Sequence, residues 1–134
     1  MSYLLDTNIC VLLIRQTSQR VIARLTQHAF NEIAVSALTV AELQYGVAKS
    51  AQPAQNQQAL DYFLLPFTLL TFDEGVAPMY GEIRVFLERQ GTPIGAIDML
   101  LAAQALSQKR VFVTNNTREF ARVPGLIVED WTQP

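Results

Sequence analysis

Apolar positions fall into two kinds of segment, short runs of about three residues and longer stretches repeating every three to four. Tyr3-Leu4-Leu5 reads as a short buried strand, Ile33–Val35, Leu69–Thr71 and Val111–Val113 as further short strands, and Leu126–Val128 as a last edge strand. Between them the helical repeat predicts a helix through Ile9–Ile14 and a second over Gln19–Ala29, where Val21, Leu25 and Ala29 share a face. A third helix is expected over Leu38–Lys49, striped by Val40, Leu43 and Val47. The Gln-rich stretch Gln52–Gln58, with Pro53 at a helix start, leads into Ala59–Leu65. Val76, Tyr80, Ile83 and Leu87 mark a long helix over Glu74–Gln90, closed by Gly91. After a Gly-Pro-Gly turn, Ala96–Ser107 is apolar nearly all round, and Asn116–Phe120 reads as a short helical turn. Strands separated by helices predict an α/β protein with a short, mostly parallel sheet covered on both faces. No repeat or linker breaks the pattern, so residues 1–134 are expected to form one domain.

Composition narrows the classes. Half of the residues are hydrophobic and 16% are charged, which argues against disorder. The longest apolar run, Ile94–Leu106, is interrupted by Asp98 and Gln104, so no membrane span is expected, and the N-terminus carries no signal-peptide pattern. One cysteine, Cys10, excludes an internal disulfide and fits a reducing cytoplasm; it is expected to pack in the core. With a single histidine, His28, expected at the surface, any metal must be held by oxygen ligands. Net charge is −2, from 12 acids and 10 Lys or Arg. Setting three acids aside for a metal site leaves 9 against 10, a surface near +1 that tolerates a nucleic-acid partner. Arg15, Arg20, Arg24 and Arg118 are candidate backbone contacts, or simply solvated helix faces.

In open parallel sheets the ligand crevice lies beyond the carboxyl ends of the strands. Asp6-Thr7-Asn8 follows the first strand, and Thr114-Asn115-Asn116, with Glu119 three residues on, follows the fourth. Asp6 has two readings, helix cap or ligand. Glu42 also has two: Thr39-Val-Ala-Glu42 matches a capping box with Thr39 as N-cap, yet Glu42 shares an azimuth with Leu38 and Tyr45. Asn116 and Glu119 read equally as the cap and first turn of a short helix. Asp98 is harder to explain structurally. It stands among Ile94, Ile97, Met99, Leu100 and Leu101 with no Lys or Arg nearby in sequence, and an unpaired buried carboxylate costs several kcal/mol. A divalent cation shared with Asp6, Mg²⁺ or alternatively Mn²⁺, resolves that cost.

Leu5-Asp6-Thr7-Asn8, Ser36-Ala-Leu-Thr-Val-Ala-Glu42-Leu-Gln-Tyr-Gly46, Tyr80-Gly-Glu-Ile-Arg84, Gly91-Thr-Pro-Ile-Gly-Ala-Ile-Asp98, Val113-Thr-Asn-Asn-Thr-Arg-Glu-Phe120, Val123-Pro-Gly-Leu126 and Glu129-Asp-Trp131 together resemble PIN-domain ribonucleases of the VapC toxin type. The likeness runs through the whole chain in order. It implies a three-layer α/β/α fold, Mg²⁺-dependent endoribonuclease activity, a homodimer, a VapB-type antitoxin and a structured RNA such as tRNA as target. The family's metal-site acids map onto Asp6, Glu42 and Asp98. Where a fourth acid is common this chain has Asn116, leaving Asn116 or Glu119 as the substitute.

On that reading Asp6 and Asp98 hold the ion and Glu42 orients or deprotonates the attacking water, while Thr7, Asn8, Thr114, Asn115 and Arg118 position phosphate or water. Two other strand-end-aspartate classes fit less well. A response-regulator receiver needs an acid pair after its first strand, and a haloacid-dehalogenase-type phosphatase needs Asp-x-Asp where this chain reads Asp6-Thr-Asn8. A PIN scaffold that only binds RNA or protein is the non-enzymatic alternative, favoured by Asn116 alone. Trp131 is expected to anchor the tail rather than stack on a base.

Overall fold

The computed structural model describes residues 1–134. In chain order it contains β1 (Tyr3–Leu5), α1 (Thr7–Arg15), α2 (Gln19–Leu25), β2 (Ile33–Ser36), α3 (Ala37–Lys49), α4 (Pro53–Leu64), β3 (Thr68–Leu70), α5 (Ala77–Arg89), α6 (Ala96–Ser107), β4 (Val111–Val113), α7 (Thr117–Phe120) and β5 (Val128–Glu129). All five strands are parallel, in the order β3-β2-β1-β4-β5. Leu5 stands opposite Val35 on one side and Val113 on the other, so β1 is the centre of the sheet.

The two-residue period of the strands sorts the core into two layers. Tyr3, Leu5, Ile33, Val35, Val111 and Val113 face a cluster with Ile9, Cys10, Leu13, Leu43 and Leu60 of α1, α3 and α4. Leu4, Ala34 and Phe112 face the opposite way, onto Ile83 and Leu87 of α5 and Met99, Leu101 and Ala102 of α6. The three inner strands β1, β2 and β4 can be this short because they are buried on both faces, whereas the edge strands β3 and β5 are partly exposed. The result is the α/β/α sandwich that the pattern predicts. No helix is long and apolar enough to cross a membrane.

Several boundaries differ from the sequence expectation, each for a local reason. α1 begins at Thr7, two residues early, because the Asp6 carboxylate accepts the Thr7 amide at 2.7 Å. α2 stops at Leu25 rather than Ala29: the Ala29 amide bonds Glu32 Oε1 at 2.9 Å and starts a tight turn over Phe30–Glu32. α4 runs from Pro53 itself, so the Gln-rich stretch is helical. α5 waits until Ala77 because Asp73 Oδ1 accepts the Gly75 amide and fixes a preceding turn. β3 lies one residue early, since the carbonyls of Leu70 and Thr71 are both taken by the buried Gln104 amide of α6. β5 is Val128–Glu129, set by pairing of Phe112 with Val128.

The capping box at Thr39 does not form. Ser36 is the N-cap of α3 and its hydroxyl accepts the Leu38 amide at 3.0 Å, which places buried Thr39 inside the helix. Ser36→Ala therefore removes a cap, and urea unfolding should show a loss of about 1–2 kcal/mol. Unchanged stability would mean that α3 is positioned without it.

Candidate functional site

The chain leaves β1 toward β2 and β3 on one side of the sheet, and β4 and β5 lie on the other. The carboxyl ends of β1 and β4 therefore form the crevice where an open α/β sheet binds ligands. Asp6 sits there, 5% exposed, extending the ladder through its amide to the Val113 carbonyl at 2.8 Å. One carboxylate oxygen accepts the Thr7 amide and the other the Thr114 hydroxyl, each at 2.7 Å. Thr114 Oγ1 accepts the Asn116 amide in turn at 3.0 Å, which ties the loop after β4 to the end of β1.

Glu42 approaches from α3. It is exposed, yet Oε1 accepts the Thr7 hydroxyl at 2.5 Å, and Thr7 Oγ1 lies 3.1 Å from the buried Thr39 hydroxyl. Its partner is therefore a side chain next to Asp6 and not a helix terminus, which decides against the capping reading. Sequence reasoning missed Thr39 as part of this network; a Thr one turn before Glu42 on the same helix was the available signal. Asp98, in the first turn of α6, is half-buried. Glu119 is held by the Asn116 side-chain amide at 2.9 Å, so the asparagine tethers a carboxylate rather than replacing one.

Electrostatics tie the four acids together. Burial, and then the charges of Asp6, Glu119 and Glu42, push the Asp98 carboxyl up to about 6. Burial also raises Asp6, opposed by its bonds from Thr114 and Thr7 and reinforced by Glu42. None of the four has a cationic partner; the ion pairs in the molecule are the terminal amine with Glu32, Arg24 with Glu129, and Arg84 with Glu88. No three of these carboxylates converge tightly enough to hold an ion as placed. The chemistry of the donor set nonetheless fits a hard divalent ion: oxygen only, drawn from four elements around one crevice, with excess negative charge.

A model of the PIN domain matches residues 3–126. Ribonuclease VapC2 of Rickettsia felis is 44% identical over 132 residues, covering 98% of each chain. The tRNA(fMet)-specific endonuclease VapC of Shigella flexneri is 39% identical over 132 residues, covering 98% of this chain and 99% of its own. The crystal structure of VapBC2 from Rickettsia felis bound to a promoter DNA fragment superposes with a TM-score of 0.92 at 43% identity, covering 98% of this chain and 99% of that one. DNA-bound VapBC from Salmonella typhimurium gives 0.92 at 37%, covering 98% of each. The chain belongs to the PIN-domain family, among its VapC ribonucleases.

Other predicted site residues of this PIN domain divide. Asn8, Asn115 and Arg118 are exposed and their side chains enter no hydrogen bond. Arg24 and Arg20 serve the tail instead: Arg24 pairs with Glu129 at 3.1 Å and lies over the Trp131 ring, and Arg20 donates to the Thr132 carbonyl. His28 is not a free surface residue; its ring stacks on buried Trp131 at 5.3 Å and meets Tyr3 at 4.5 Å. Trp131 anchors the tail as expected, donating from Nε1 to Glu129 at 2.9 Å. Burial pushes the Cys10 thiol far up, which removes it as a nucleophile.

The raised Asp98 gives a stability signature with a definite sign. Its folded pKa exceeds the unfolded value near 3.9, so folding holds the proton between those values and ionised Asp98 destabilises above about 6. In chelator, Asp98→Asn should raise Tm at pH 7.5, with the gain vanishing toward pH 4. A lower Tm at pH 7.5 would make Asp98 a member of a structural network instead.

Proposed function

We propose that this protein is a Mg²⁺-dependent endoribonuclease toxin, with Mn²⁺ as a substitute ion, that cuts a structured RNA of the tRNA class and is silenced by a VapB-type antitoxin. The observation that carries the reading is the set of four carboxylates, Asp6, Glu42, Asp98 and Glu119, assembled without a counter-cation at the carboxyl ends of β1 and β4. The scaffold alternative leaned on Asn116, and the Glu119 carboxylate beside it removes that support.

Asp6, Asp98 and Glu119 are the residues that would hold the ion. When bound, the ion supplies charge stabilisation to a phosphodiester under in-line attack. The Thr7 amide and Thr114 hydroxyl fix both Asp6 oxygens, so this carboxylate enters the reaction in one orientation. Thr7 holds the exposed Glu42 side chain toward the same crevice, where it accepts a proton from the attacking water. Asp98 completes the negative pocket; in the ion-free protein its proton, held up to about pH 6, competes with the ion, so activity at limiting Mg²⁺ should rise through that pH.

The antitoxin reading draws support from the VapBC complexes among the related structures. It also draws support from an apolar trough of about 820 Å³ between α1, α2 and α4, lined by Leu13, Ile22, Leu25, Tyr62, Phe63 and Phe67. Such a surface suits the apolar face of a partner helix.

Two experiments test these assignments. Cleavage of tRNA should require Mg²⁺ or Mn²⁺ and stop in EDTA; undiminished cleavage in chelator contradicts the mechanism. Glu42→Gln preserves the hydrogen bond from Thr7 but not the basicity, and should lower the rate at least about a hundredfold. Wild-type rates from that variant would return Glu42 to a structural role.

A further inference from the structure

A second groove, about 370 Å³, opens directly beside the acid site between α1, α3 and α4. Thr7 and Glu42 form one end of it, and Val11, Leu43, Val47 and Leu60 supply an apolar wall. Arg15 and Lys49 stand on its rim, and neither is paired with a carboxylate. Their character sets this groove apart from the neighbouring trough, whose lining carries no charged side chain.

α3 supplies one wall of the groove, and an exposed aromatic stands beside it. Glu42, Gly46 and Lys49 fall at helical spacing and share its wall. Tyr45, 66% exposed, lies beneath the Lys49 ammonium at 4.7 Å from its ring centroid. Gly46 lies within α3, where glycine is a poor helix former, and neither packing nor backbone conformation demands it: a Cβ there would meet nothing within 4 Å, and its φ is not positive. What the missing side chain leaves is open floor in the groove. An apolar slot lined by two cations that no carboxylate pairs, one of them lying over an exposed aromatic ring outside the slot, has the composition that seats unstacked bases and their phosphates.

We infer that this groove is a nucleotide subsite: it takes single-stranded RNA next to the scissile phosphate, with a base on the apolar floor at Gly46 and flanking phosphates on Arg15 and Lys49. The inference rests on the ribonuclease reading above and adds to it where the substrate strand runs. It also gives the substrate a chemical requirement, a locally unpaired strand, since a stacked and paired base cannot enter.

Binding and cleavage test it separately. Fluorescence anisotropy of a labelled single-stranded RNA dodecamer is measured in EDTA, where cleavage is suppressed, and tRNA cleavage is measured in Mg²⁺. Arg15→Gln with Lys49→Gln should weaken dodecamer binding at least tenfold. The same pair should reduce the slope of log K against log salt by about 1.4, two contacts at roughly 0.7 each. Gly46→Leu keeps every charge and suits the helix, so it should fold with an unchanged or higher Tm and still lose tenfold or more in binding. Arg89→Gln on the exposed face of α5 should bind as wild type.

If the wild-type protein cleaves and both groove variants keep its KM and salt slope, the subsite is overturned and the ribonuclease reading stands. If it binds the dodecamer through these residues but cuts no RNA, the groove stands and the catalytic reading fails. Should the variants lose only the capture of an antitoxin peptide, with RNA binding intact, the groove is a protein seat and the inference is wrong. No binding of RNA by wild type also overturns it.

Discussion

Uncompensated carboxylate charge, desolvated at the carboxyl ends of β1 and β4, is the constraint on which the candidate site depends. Asp6 is nearly buried, and its charge is supported only by the Thr7 amide and the Thr114 hydroxyl. Asp98 has no bond of that kind and its ordinary acidity is lost to burial and to Asp6, Glu119 and Glu42. A fold seeking stability alone would replace such a group, because an unpaired charge out of water is among the costlier things a protein can contain. The sheet carries that cost at the one point where its topology opens a crevice.

Everything around the crevice serves to hold those groups in place. Ser36 caps α3 and so sets the height of Glu42; Thr39 and Thr7 then fix the direction of an otherwise mobile side chain. Asn116 holds Glu119, and Thr114 links its own loop to Asp6. No basic residue pairs with these acids. Arg20 and Arg24 are spent on the C-terminal tail, and Arg122 reaches the Pro93 carbonyl ahead of α6. The negative charge of the crevice is therefore left uncompensated by the chain's own cations.

Much of this was legible in the sequence, and the reasons it was legible are physical. Buried three-residue strands show as short apolar runs, and α6 betrays its burial by being apolar on every side, which made Asp98 conspicuous. What failed were boundaries decided by single side chains. The Thr39–Glu42 spacing satisfies the capping-box pattern, but a serine three residues earlier offered a better cap, and pattern matching cannot weigh the two. His28 looked exposed because its partners, Tyr3 and Trp131, lie at the two ends of the chain. Glu119 could not be told from a helix-turn acid until Asn116 was seen donating to it. Long-range pairings of this kind leave no periodic trace.

The claim that the acid cluster is built for a divalent ion is tested most directly by calorimetry of Mg²⁺ binding in buffers of different ionisation enthalpy. Because Asp98 titrates near 6 in the ion-free protein, binding should displace about half a proton at pH 6 and almost none at pH 7.5. An absence of binding at millimolar Mg²⁺ and Mn²⁺, or binding with no proton release at pH 6, would contradict the account.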